Sequence, residues 1–93
     1  SFDSLFFMEE KIETEALERA VPRLFADKSC GEVFRIKGYV KNGAGQWMEL
    51  NATPDSHTMQ PVAVGQEVLI VIGEHLQEDK IREILKEEEK CQS

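Results

Sequence analysis

Arg35, Lys37, Tyr39, Trp47 and Glu49 are the side chains in this sequence best suited to hold another molecule. Two cations, a phenol, an indole and a carboxylate offer charge, stacking and hydrogen bonds, which is the chemistry of recognition. Trp, Tyr and Arg are the residue types enriched at binding hot spots. Arg35, Lys37 and Tyr39 recur at every second position, the period of a β-strand, so all three share one face. The same residues also fit a plainer role, a cross-strand charge pair with aromatic cover over exposed sheet. Residue type alone leaves both roles open. Arg35, Lys37, Tyr39 and Trp47 are the candidate contact residues, and no residue stands out as a candidate for bond-making.

The usual signatures of catalysis do not occur. There is no GxxxxGK[ST] or GxGxxG phosphate loop, no GxSxG elbow and no HExxH metal pair. Asp55, Ser56 and His57 are adjacent in one loop and cannot reach one another as a triad does. His57 with Asp55, or Cys30 beside Gly31, would supply only part of a metal ligand set. A solvated loop histidine and an ordinary thiol are the expected roles. His75, just after Gly73, reads as a boundary residue. Cys30 and Cys91 have no CxxC or paired-His spacing and read as free thiols of a cytosolic protein rather than a disulfide or a metal pair. Glu87-Glu88-Glu89 reads as a solvated helix end.

To hold Arg35, Lys37 and Tyr39 on one face, residues 31–52 must form a hairpin around the turn Asn42-Gly43-Ala44-Gly45. Phe34, Ile36, Gly38 and Val40 alternate with the polar set and face a core. On the return strand Met48, Leu50 and Ala52 do the same against Trp47, Glu49 and Asn51. Gly38 on the inner face is expected either to let a helix press close or to mark a bulge that re-aims Tyr39. Ahead of the hairpin, residues 4–8 have the length of a buried strand, and the polar run Glu9 to Glu13 leads into a helix. Thr14 is its expected N-cap, Leu17, Ala20, Val21, Leu24 and Phe25 its apolar stripe, and Pro22 the site of a kink or break. Beyond the hairpin, residues 58–64 are expected to hold an edge strand that tolerates Pro61. Residues 68–72, VLIVI, are a strand, and residues 78–90 a second helix with Ile81, Ile84 and Leu85 inward.

This order predicts an α+β two-layer sandwich. A mostly antiparallel sheet of four to five strands carries two helices on one face, a variant of the ferredoxin-like plait. Neither VLIVI nor SLFFM alternates, so the second sheet face must be partly apolar. In a chain this short both helices are already used. The expected cover is another domain or a second subunit.

Ninety-three residues make one domain with a thin core. Eleven basic against eighteen acidic residues leave a net charge of −7, which opposes binding to nucleic acid or to an anionic membrane. No stretch has the ~20 apolar residues of a membrane span, and no signal peptide is visible. The opening SFDSLFF, without Met, suggests either a domain cut from a longer protein or a processed start, and the free thiols suggest a cytoplasmic location.

Gly31-Glu32-Val33-Phe34-Arg35-Ile36-Lys37-Gly38-Tyr39-Val40 resembles the GxVxRxKGxx strand of the C-terminal domain of CobW-type GTPases. Leu69-Ile70-Val71-Ile72-Gly73, followed by Leu76, resembles that domain's LVFIGxxL segment, and Phe2-Asp3-Ser4-Leu5-Phe6-Phe7 its first strand. The likeness spans nearly the whole chain, with Arg35 to Gly38 as its most distinctive part. Glu74 departs from the pattern, which often has a basic residue there. So does the short stretch between hairpin and VLIVI, which lacks the family's tryptophan and basic residues.

The resemblance implies a small α+β domain, residues 1–93, that follows a P-loop GTPase domain in proteins regarded as metal chaperones. These are linked to cobalt or zinc handling and to cobalamin or nitrile hydratase maturation. GTP and zinc or cobalt are implied for the full-length protein. The GTP-binding residues and the CxCC metal motif belong to the N-terminal domain, so no cofactor or metal residue carries over to this chain. The implied function is a non-catalytic accessory domain that docks on the GTPase domain or on a client metalloprotein. The alternative is a stand-alone module that senses a small ligand or a metal. An acylphosphatase-like enzyme on the same plait would want a phosphate-cradling loop after the first strand, where Glu9-Glu10 has the wrong sign.

Overall fold

A computed structural model of the chain describes residues 2–8 and 11–91. Strand β1 spans Asp3–Met8, helix α1 Thr14–Ala26, and a single 3-10 turn Lys28–Cys30. Then come β2 (Glu32–Lys41), β3 (Trp47–Thr53), β4 (Ser56–Pro61), β5 (Val68–Glu74) and helix α2 (Glu78–Lys90). The five strands form one sheet in the order β1-β5-β2-β3-β4, with every neighbouring pair antiparallel. Since β1 and β2 each oppose β5, they run parallel to one another with β5 between them. They are joined through α1, which is the split β-α-β unit of a plait. The architecture is the α+β two-layer sandwich that the pattern predicts.

Both helices cover the same face. Ala16, Leu17, Ala20, Val21 and Leu24 from α1 and Ile81, Ile84 and Leu85 from α2 are buried in one cluster with Phe7, Val33, Ile36, Val40, Leu50, Ala52, Leu69 and Val71 of the sheet. Each such large side chain withdrawn from water contributes roughly 1.5–3 kcal/mol, so the sheet's inner face is where the fold is stabilised. α2 begins and ends where its periodicity says. Turn residues 42–45 form the expected turn. Asn42 Oδ1 accepts from the amides of Ala44 and Gln46 at 3.0 and 2.9 Å, and Gly45 takes φ +80°.

Several expectations are overturned. Phe34 is not in the core. The pairing of β2 with β5 slips between Val33, which faces Gly73, and Arg35, which faces Ile72. The extra residue of this β-bulge puts Phe34 out of phase. Val33 takes the inner place instead, and Phe34 meets the ring of Phe2 edge-on at 5.0 Å. Pro22 does not break α1. It sits on the exposed side, and its missing N–H would have served the carbonyl of Glu18, a partly exposed position that water can reach. Glu13 rather than Thr14 is the N-cap, with no side-chain bond to the helix end. The expected edge strand does form and tolerates Pro61, but β4 begins two residues earlier, at Ser56, and stops at Pro61, opposite Met48, rather than at residue 64.

Gly38 makes room for a strand neighbour, not for a helix. A Cβ there would lie 2.7 Å from the carbonyl oxygen of Val68 and 2.8 Å from Leu69 Cδ1. The bulge lies upstream of it. Two residues of the acidic run at the end of α2, Glu87 and Glu88, are clamped, while Glu89 is exposed as expected. Arg19 and Arg23 of α1 hold Glu88 at 3.0 and 2.9 Å, and Arg23 holds Glu87 at 2.8 Å. Hydrogen bonds first from Arg19 and then from Arg23 keep the Glu88 carboxyl below its ordinary pKa. Glu9 and Glu10, expected in the polar connection, lie outside the described residues.

Candidate functional site

The register lines up the outer face of the sheet in rows that cross all five strands. One row runs Met8, Val68, Tyr39, Glu49, Gln60. The next runs Phe6, Ile70, Lys37, Asn51, Thr58, and a third begins Ser4, Ile72, Arg35. Read along the rows, the face has two halves. Over β1 and β5 it is apolar, with Phe6 60%, Met8 55% and nearby Phe2 70% exposed. Over β2, β3 and β4 it is polar.

All four candidate contact residues lie on this outer face. Arg35 is exposed and donates from Nη2 to Asn51 Oδ1 at 3.0 Å. Lys37 stands between Ile70 and Asn51 in the register. The Tyr39 hydroxyl donates to Glu49 Oε2 at 3.0 Å, and that bond raises the phenol's pKa. Trp47 is set apart from the other three. Lys41 Nζ lies 5.2 Å from its ring centroid, and Gly65 lies so close that a Cβ there would sit 3.1 Å from the indole. The loop after β4 is pinned over it by Gln46 Nε2 to the Val62 carbonyl at 2.9 Å and Val62 N to the Trp47 carbonyl at 2.9 Å. Trp47 thus anchors the loop, while Arg35, Lys37 and Tyr39 form a strip along the middle strand.

The exposed Phe2, Phe6 and Met8 were not singled out by residue type. For Phe6 and Met8 the signal is the failure of SLFFM to alternate, which marks a strand apolar on both faces; Phe2 lies ahead of that run and carries no such signal. The remaining candidates for chemistry are scattered. Cys30 is fully buried in the core, and burial pushes its thiol pKa up. His57 approaches Glu18 of α1 at 3.9 Å rather than joining Asp55. Both His57 and Asp55 line an open cleft of about 360 Å³ between the end of α1 and the β3–β4 turn, walled by Val21, Pro22 and Phe25. His75 is the boundary residue expected, held at φ +55° between β5 and α2. Among the described residues, no three His, Cys, Asp or Glu side chains gather as a metal site. No helix among them is long and apolar enough to cross a membrane.

Residues 4–89 match the family described as the cobalamin synthesis protein cobW C-terminal domain. The chain belongs to this family. Among solved structures it is similar to a Zn(II)-bound YjiA GTPase from E. coli, at 14% sequence identity and a TM-score of 0.69, over 92% of this chain and 29% of that one. A Zn(II)-bound triple mutant of the YjiA GTPase gives a TM-score of 0.70 at the same 14% identity, again over 92% of this chain and 29% of that chain. At such identity the likeness is one of fold. No curated protein sequence matches. This cobW C-terminal domain therefore spans under a third of the YjiA chain's length.

Proposed function

We propose that this cobW C-terminal domain is a non-catalytic accessory module that docks, through the outer face of its sheet, on the GTPase domain of its own protein. One observation carries the reading. Three large apolar side chains, Phe2, Phe6 and Met8, lie more than half exposed on or beside that face, with β5 between β1 and the Arg35–Lys37 strip. Contiguous apolar surface rimmed by polar groups is what a protein interface presents before its partner arrives. The full-length protein would act in the cytoplasm as a GTP-dependent metal chaperone, with zinc or cobalt as cargo and a cobalamin-related or other metalloprotein as client. Nucleotide state would reach the client only if this face makes different contacts in each state, as linkage requires.

Calorimetric titration of the chain with the GTPase domain, loaded with GDP or a non-hydrolysable GTP analogue, tests the reading. Saturable 1:1 binding is expected, weakened about tenfold by Arg35→Ala, and weakened also by Trp47→Ala through release of the loop it anchors. Absence of binding in every nucleotide state overturns docking. Tight 1:1 binding of zinc or cobalt by the chain alone would move it to the sensing class.

A further inference from the structure

The two open edges of the sheet are built differently. β4, at one edge, carries Ser56, His57, Thr58 and Gln60 and ends in Pro61. Polar side chains and a proline are standard protection for a strand whose backbone groups are unpaired. β1, at the other edge, is Asp3-Ser4-Leu5-Phe6-Phe7-Met8. It has no Lys, no Pro and no bulge in its pairing with β5, and four of its six residues are large and apolar. An edge of that kind invites a further strand, since one row of its N–H and C=O groups faces away from β5.

We propose that β1 is a docking edge, completed by an extended segment of the GTPase domain in which apolar and basic residues alternate. The apolar positions follow from the register. A strand added beside β1 places alternate side chains next to Phe6 and Met8 on the outer face, extending the apolar half by one strand. The basic positions follow from charge. The one charge on β1 is Asp3, and Glu78 begins the helix above it. The cation over this edge, Arg82, is already engaged. It lies 5.0 Å from the Phe7 ring centroid and donates to Glu78 Oε2 at 2.8 Å. A second copy of the chain would bring another −7 against this −7, so self-pairing is disfavoured at low salt. The inference rests on the docking reading for who supplies the strand, and not for the pairing itself.

The test uses the full chain and an eight-residue peptide of alternating Val and Lys, with amide hydrogen exchange read by NMR at 0.15 M salt. Amides of β1 are expected to gain at least tenfold protection, with no change in β4. A peptide of the same composition with its four Val and four Lys in two blocks should give none. Phe6→Lys, which sets a charge on an exposed site outside the core, should weaken the alternating peptide at least tenfold, while Thr58→Lys on the far edge leaves it unchanged. Protection at β4, equal protection by the blocked peptide, or β1 protection that grows with chain concentration without peptide would each overturn the proposal. If the GTPase domain binds while β1 stays unprotected, docking stands and the edge proposal fails. If the peptide pairs with β1 but the GTPase domain does not bind, the edge stands and the docking reading fails.

Discussion

On β2, residues one step apart live in different worlds. Ile36 is fully buried under the helices, while Lys37 beside it is half-exposed on the other side of the sheet. The inner face is a closed system in which every large side chain has a neighbour from α1, α2 or an adjacent strand. The outer face is closed over its polar half by its own hydrogen bonds, Arg35 to Asn51 and Tyr39 to Glu49, and open over β1. On the proposed reading, stability and recognition fall on opposite sides of one sheet. A substitution should therefore report on one or the other.

The largest effect expected is on the inner side. Ile36→Ala should cost about 2–5 kcal/mol in urea unfolding, since it removes buried methylenes and leaves a cavity. Lys37→Ala, its neighbour, should stay within about 0.5 kcal/mol. Equal losses at the two positions would erase the distinction between the faces. Gly38→Ala is next. The added methyl meets the backbone oxygen of Val68, and overpacking of that sort costs about 1–3 kcal/mol. A Leu69→Ala background should absorb part of the cost, because it frees the space beside Cδ1 but not beside the carbonyl.

Much of this division could be read from the chain. The 3.6-residue stripe of α2 places Ile81, Ile84 and Leu85 inward and fixes both helix ends, and the two-residue period of residues 35–41 and 47–52 sorts the hairpin's faces. What could not be read depends on neighbours distant in sequence. Phe34 looks like core to any local pattern, because a bulge is decided by how β2 pairs with β5. Glu87 and Glu88 look solvated until α1 brings Arg19 and Arg23 alongside. Trp47 looks like a free anchor, since nothing local says that Gly65 will lie against it. Pro22 misleads for the opposite reason. Its usual penalty is local, and here the orphaned carbonyl is near solvent.

The smallest effect sharpens the comparison by touching the helix layer alone. Glu88 has a lowered carboxyl pKa in the folded chain, so it contributes stability that is present above the ordinary carboxylate range. That contribution is lost as pH falls through its depressed folded value. Glu88→Gln should flatten the acid limb of the stability profile, measured as urea midpoints between pH 7 and pH 3. A residual slope of the same sign should remain from Asp27, whose carboxyl is lowered chiefly by the Ser29 hydroxyl. Binding to a partner on the outer face should not change with this substitution at neutral pH.

The bulge at Phe34 also works as a change of parity. Before it the inward position of β2 is odd-numbered, at Val33. After it the inward positions are even, at Ile36, Gly38 and Val40. The strand thus follows two opposite rules about which residues must be apolar, and the switch falls immediately before the Arg35-Ile36-Lys37-Gly38 run. That run keeps its phase only because one extra residue precedes it. The spacing from Val33 to Arg35, as much as the identity of either residue, is what presents the arginine to the outside.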